Sequence, residues 1–196
     1  LVGGKNTRLK NINNKNNNLP KSLQKINSKQ LIFHVIDNFL DNNFNNFILS
    51  IGYYKNEFYK FFQKTKKINK KKCNIFFNYK DYLNSIKKND QDINLLLFDT
   101  GIKANKAERI LKIIDKLQLK EFGVSYGDGV GDVNINKLYN QHINSNAIAS
   151  SAAVKPRSQY GHYIFKTKSK INNENVMDFV EKPILDLWAN IGYFFF

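Results

Sequence analysis

Short apolar runs that stop at glycine or aspartate, each trailed by a stretch of helical periodicity, constrain this chain most. Phe47-Ile48-Leu49-Ser50-Ile51 stops at Gly52, and Asn94-Leu95-Leu96-Leu97-Phe98 stops at Asp99-Thr100-Gly101. Phe122 to Tyr126 stops at Gly127-Asp128-Gly129. Runs of this length and apolarity read as strands buried on both faces. Between and around them, Gln30 to Phe39, Asn56 to Gln63 and Lys106 to Leu117 repeat apolar residues at the helical period of about 3.6. Asn134 to Ile143 reads as another helix, with Asn134 as its cap. Alternation of this kind up to about Val154 predicts an α/β fold, a doubly wound and mainly parallel sheet. Cys73 to Phe77, Ala147 to Val154, Ile164 to Thr167, Val176 to Glu181 and Tyr193 to Phe196 read as further strands. Ile164 to Thr167 and Val176 to Glu181 read as a pair.

Leu1-Val2 runs straight into Gly3-Gly4. It reads as the tail of a first strand, so residues 1–196 are expected to form a single domain lacking most of that strand and its C-terminal part. The hydrophobic share of 42% supplies a core for one domain of this length. Cys73 is the only cysteine, which excludes an internal disulfide framework and a cysteine zinc site. It fits a reducing, cytoplasmic setting. His34, His142 and His162 lack metal-ligand spacing, and no apolar run approaches the ~18 residues of a membrane span. The N-terminus has neither the basic nor the long apolar region of a secretion signal.

A formal charge of +15 would suit a nucleic-acid partner. The excess instead tracks a composition crowded with Lys, Asn, Ile and Phe, and no basic stripe carries interleaved aromatics. The lysine-rich run Lys64–Lys72 reads as a solvated linker. Nucleic acid and membrane are therefore not the partners expected.

In doubly wound folds ligands bind beyond the carboxyl ends of the strands. Gly3–Pro20, Gly52, Asp99–Arg109 and Tyr126–Val133 should then share one rim. Gly3-Gly4 brings backbone N–H groups close to phosphate oxygens, and Arg8 can clamp them in bidentate fashion. Asp128, held between glycines just past a strand, can offer oxygens to a hard cation. Each feature alone is as well explained by a turn or a solvated surface residue.

Taken in order, the residues resemble the sugar-1-phosphate nucleotidyltransferases. Gly3-Gly4-Lys5-Asn6-Thr7-Arg8-Leu9 with Pro20-Lys21 is similar to that family's G-G-x-G-T-R-L loop and following Pro-Lys. Asn6 stands where the family has a third glycine. Gly52-Tyr53, Tyr160-Gly161 and Glu181-Lys182-Pro183 have counterparts in it. Asp99-Thr100-Gly101 through Arg109, Tyr126 to Val133, and Trp188-Ala189-Asn190-Ile191-Gly192-Tyr193-Phe194 resemble the glucose-1-phosphate cytidylyltransferase branch.

The resemblance implies a Rossmann-like fold of the nucleotide-diphospho-sugar transferase type with a small antiparallel sugar-binding part. It implies transfer from CTP to α-D-glucose 1-phosphate, giving CDP-glucose and pyrophosphate for surface polysaccharide (lipopolysaccharide O-antigen) synthesis. Arg8 and Lys21 would be catalytic, Gly3, Gly4, Arg8, Arg109 and Gly127 would meet the nucleotide, and Asp128 would bind Mg²⁺. Glu181, Lys182, Asn190 and Gly161 would meet the sugar phosphate. A longer chain is expected to form a homo-oligomer, and the 196-residue piece to be inactive alone. Lys106-Ala107-Glu108 replaces the branch's T-G-G before Arg109, so either Arg109 sits differently or cytosine selection weakens. A sister enzyme using another nucleotide or sugar phosphate, and a non-catalytic nucleotide-sugar-binding regulator, remain alternatives.

Overall fold

The structure, a computed structural model, describes residues 1–2, 19–63, 94–165 and 176–196. The expected strand Cys73–Phe77, the run Lys64–Lys72, Thr167 and the Gly3–Leu9 loop with Gly3, Gly4 and Arg8 lie outside those residues. After a 3-10 turn at Lys21–Leu23 comes a hairpin of β1 (Lys25–Ile26) and β2 (Lys29–Gln30). The sheet and its helices follow: α1 (Leu31–Leu40), β3 (Asn46–Ile51), α2 (Lys55–Gln63), β4 (Asn94–Asp99), α3 (Lys106–Leu117) and β5 (Gly123–Ser125). Then come α4 (Ile135–Ile143), β6 (Ser150–Val154), β7 (His162–Phe165), β8 (Val176–Val180) and β9 (Ala189–Phe195).

β3 and β4 pair in parallel from Asn46↔Asn94 to Ile51↔Asp99. Leu1-Val2 lies on the other edge of β3. Val2 N donates to Ser50 O at 3.2 Å, Leu1 N to Ser125 O at 2.6 Å, and Gly127 N to Leu1 O at 3.2 Å. One residue donating to position j−1 and accepting from j+1 is the parallel pattern. β9 runs antiparallel to both β5 and β6, so those two share a direction. The order is β4, β3, Leu1-Val2, β5, β9, β6, and β9 alone runs against the rest. The doubly wound, mainly parallel sheet read from the alternation is present.

Side chains alternate across β3 and β4. Leu49, Ile51, Leu95 and Leu97 join Ile32, Phe33 and Ile36 of α1 and Phe58 and Phe62 of α2 in one buried cluster. The opposite face meets α3, since Ser50 Oγ lies 3.2 Å from Thr100 Oγ1, and Arg109 of α3 donates to that same oxygen. Reversal of the winding direction between β4 and β5 puts α3 there, as right-handed crossovers require. A second cluster seats Ile135 and Leu138 of α4 on Tyr193 and Phe195 of β9. β7 and β8 pair antiparallel, and every residue in both strands is exposed. No helix among the described residues is long and apolar enough to cross a membrane.

Candidate functional site

Pro20 opens the tight turn that carries Lys21. Leu23 N donates to Pro20 O at 2.9 Å and Gln24 N to Lys21 O at 3.1 Å. Leu23 and Ser22 are buried, so the backbone is anchored while the Lys21 side chain stays half exposed. Its ammonium lies 3.0 Å from Asp128 Oδ2. These two residues, far apart in sequence, thus meet on the strand-end rim.

The Asp128 loop is pinned at several points. Gly127 N bonds Leu1 O, Gly129 N donates to Tyr126 O at 3.1 Å, and Tyr193 Oη donates to Gly129 O at 2.8 Å. Asn38 Nδ2 of α1 donates to Gly131 O at 3.2 Å. Asp128 sits exposed at the corner this creates. A Cβ on Gly127 would fall 2.2 Å from Val2 Cγ1, with Ile32 and Ser22 close behind. The glycine therefore serves the packing of Leu1-Val2 against α1. Among the described residues no three His, Cys, Asp or Glu side chains cluster as a metal cage. One exposed carboxylate on an anchored loop does fit a hard cation that keeps waters and takes further oxygens from phosphates.

Arg109 lies beneath the rim. Only 5% of it is exposed, and Nη1 donates to Ile51 O at 3.1 Å and to Thr100 Oγ1. Thr100 Oγ1 in turn donates to Ile51 O at 2.8 Å. The guanidinium thereby ties the ends of β3 and β4 to the first turn of α3. Gly52 makes room for it, since a Cβ there would stand 2.5 Å from Nη1. Burial lowers the Arg109 pKa and the nearby Asp99 carboxylate opposes that shift. Burial pulls the Asp99 pKa up, but hydrogen bonds from Lys55 and Gly101 N, with the charges of Lys55 and Arg109, bring it below the usual value. Lys55 Nζ donates to Asp99 Oδ2 at 2.8 Å.

Glu108 is a helix cap. Its carboxylate accepts from Asn105 N at 2.9 Å while Asn105 Oδ1 accepts from Glu108 N at 3.0 Å, a reciprocal capping box. Its charge is spent on the helix start. Lys106, the next residue on this turn, places Nζ 4.3 Å from the Tyr126 ring centroid, a cation–π contact. Sequence reasoning missed both. The spacing Asn105-x-x-Glu108 was the available signal for the cap, whereas nothing in the sequence marked Lys106 for Tyr126.

The remaining residues gather beside β9 and on the hairpin. Asn190 Oδ1 accepts from Gly192 N at 2.6 Å. Gly192 takes φ +86 and admits the Tyr126 ring, which a Cβ would meet at 2.6 Å. Ile191 O flanks Gly129, so Asn190 belongs to the border of the Asp128 loop. Gly161 lies under Phe179, with Glu181 Oε2 3.0 Å from where its Cβ would stand. Lys182 takes φ +47, seldom adopted by residues with side chains, and its Nζ is 3.8 Å from Glu181 Oε1. Ser158 N donates to Pro183 O at 2.8 Å and Leu185 N to Pro156 O at 2.9 Å, bracing the Glu-Lys-Pro corner. The structure thus brings Lys21 and Asp128 into contact, sets Asn190 at their border, and groups Gly161, Glu181 and Lys182 on the exposed ribbon.

A model of the family described as nucleotidyl transferase matches residues 1–196. The Bacillus subtilis (strain 168) protein named "Probable glucose-1-phosphate cytidylyltransferase" is 24% identical over 203 residues, covering 99% of this chain and 72% of its own. A UDP-glucose pyrophosphorylase solved with UDP-glucose superposes with a TM-score of 0.59 at 17% identity, covering 99% of this chain and 73% of its own. The UTP-bound enzyme of the same kind from Acinetobacter baumannii gives 0.59 at 15% identity, covering 98% and 71%. These likenesses show the fold of the nucleotide-diphospho-sugar transferases.

Proposed function

This chain belongs to the nucleotidyl transferase family, and from that premise we propose that it serves transfer of a cytidylyl group from CTP to α-D-glucose 1-phosphate. The products would be CDP-glucose and pyrophosphate, destined for surface polysaccharide. The observation that carries the reading is the meeting of Lys21 and Asp128 at 3.0 Å on the rim, at the positions where the motifs call for a phosphate cation and a metal carboxylate.

The reaction needs no protein nucleophile. A sugar phosphate with a second pKa of about 6 is largely dianionic near neutral pH. Its oxygen attacks the α-phosphorus in line, the bond to the β-phosphate oxygen breaks, and pyrophosphate leaves. What the protein contributes is position and charge neutralisation. Lys21 and Arg8 neutralise the reacting phosphates, and Gly3 and Gly4 let the nucleotide approach the backbone. Lys182 anchors the sugar phosphate while Glu181 and Asn190 accept from sugar hydroxyls beside Gly161. Asp128 would hold Mg²⁺, which supplies charge stabilisation at the phosphates when bound. Without it, Lys21 keeps the Asp128 carboxylate paired. Arg109 acts on the nucleotide side by fixing the Gly52 and Thr100 loops from below.

Pyrophosphate release from CTP and glucose 1-phosphate with Mg²⁺, using the natural full-length protein, tests the reading. Release at no more than background with any nucleotide, despite nucleotide binding, would leave a regulatory binder instead. A sister enzyme is the second reading, favoured by the burial of Arg109, whose guanidinium is bonded to Ile51 O and Thr100 Oγ1. A panel of CTP, UTP, dTTP and GTP separates the two.

A further inference from the structure

The loop that carries Asp128 has few side chains to hold it. Gly127, Gly129 and Gly131 offer none for packing, and Val130 between them is 54% exposed. Glycine also gives an unconstrained loop its widest conformational freedom, so fixing this one takes contacts from outside. The ion pair with Lys21 is exposed on both partners and contributes little order. The loop's carbonyls are held instead. Tyr193 Oη of β9 donates to Gly129 O at 2.8 Å, and Asn38 Nδ2 of α1 donates to Gly131 O at 3.2 Å. A phenol oxygen lies in the plane of its ring, so seating the ring seats the donor. The Tyr193 ring is 1% exposed, stacked on Phe39 with centroids 5.9 Å apart, and clustered with Ile135 and Leu138 of α4.

We infer that Tyr193 and Asn38 are positioning residues for Asp128. Their hydrogen bonds to Gly129 O and Gly131 O, rather than the contact with Lys21, keep the Asp128 carboxylate ready for a divalent cation that arrives with a nucleoside triphosphate. The inference rests on the reading of Asp128 as the metal carboxylate and adds to it the residues that aim it. Tyr193 does more than fill the core. Its ring belongs to the packing of α4 on β9, and its hydroxyl carries that rigidity to the rim. Tyr193→Phe keeps the ring and removes only the donor. Asn38→Ala removes the second donor from within α1, where alanine favours the helix.

The test uses the natural full-length protein and the best-bound nucleotide among CTP, UTP, dTTP and GTP. Calorimetry measures its affinity with and without Mn²⁺, and the gain conferred by the metal is compared between variants. Tyr193→Phe should shrink that gain about tenfold, and Asn38→Ala should shrink it in the same direction, with affinity in the absence of metal unchanged. Leu138→Ala, a truncation in the same buried cluster, should lower the melting temperature and leave the gain intact. Thermal melts show that each variant is folded at the temperature of measurement. A gain kept in full by Tyr193→Phe would overturn the inference while leaving Asp128 as the metal carboxylate. An equal loss in Leu138→Ala would also overturn it, as general loosening of the core. A wild-type gain no larger than that of Asp128→Asn would remove the metal reading of Asp128, and this inference with it.

Discussion

The β3–β4 pair and the β7–β8 ribbon contain similar residues and lead opposite lives. Leu95 and Leu97 of the first are 0% exposed, covered by α1 and α2. Phe179 and Val176 of the second stay half exposed, with Met177 more so. The first holds its loops by buried bonds such as Arg109 to Ile51 O, and the second holds Glu181-Lys182 by its own ladder and the Pro156–Ser158 brace. Under the proposed function, the phosphate groups would meet loops of the buried sheet, and the sugar contacts would ride on a ribbon whose local opening costs little.

Truncations break or sharpen this contrast. Leu97→Ala should cost about 3–5 kcal/mol in urea unfolding, as a cavity between sheet and helices.

Lys21→Ala should lower turnover of the full-length protein about a hundredfold. The melting temperature should barely move, because the Lys21–Asp128 pair is exposed. Gly52→Ala should cost about 2 kcal/mol by forcing Arg109 from its seat. The smallest effect belongs to the ribbon: Phe179→Ala should cost less than about 1 kcal/mol in stability. If it costs as much as Leu97→Ala, the ribbon is part of the core and the contrast fails.

The sheet and helices were legible because period and burial agree there. The Lys106–Leu117 boundaries emerge unchanged, and Asn134 caps its helix by accepting from Lys137 N. The β1–β2 hairpin escaped notice, since its strands have only two residues each and its turn is Asn27-Ser28, at φ +50 and +68 rather than a glycine pair. Arg109 shows a different limit. A motif gives a residue's order along the chain, but only packing decided whether its guanidinium rose to the rim or folded beneath it. Asp128 was visible as an exposed carboxylate after a strand, and its contact with Lys21 required the first turn to be folded across the rim.

The lone antiparallel strand has a consequence for how such a protein can change. Every parallel strand delivers to the rim the residues that follow it, whereas β9 delivers those that precede it. Asn190 therefore reaches the Asp128 loop from the opposite chain direction, at the end of the excursion that holds β7 and β8. Under the proposed function, changes in the length or sequence of that excursion would alter the acceptor side without shifting the turn that carries Lys21 or the loop that carries Asp128.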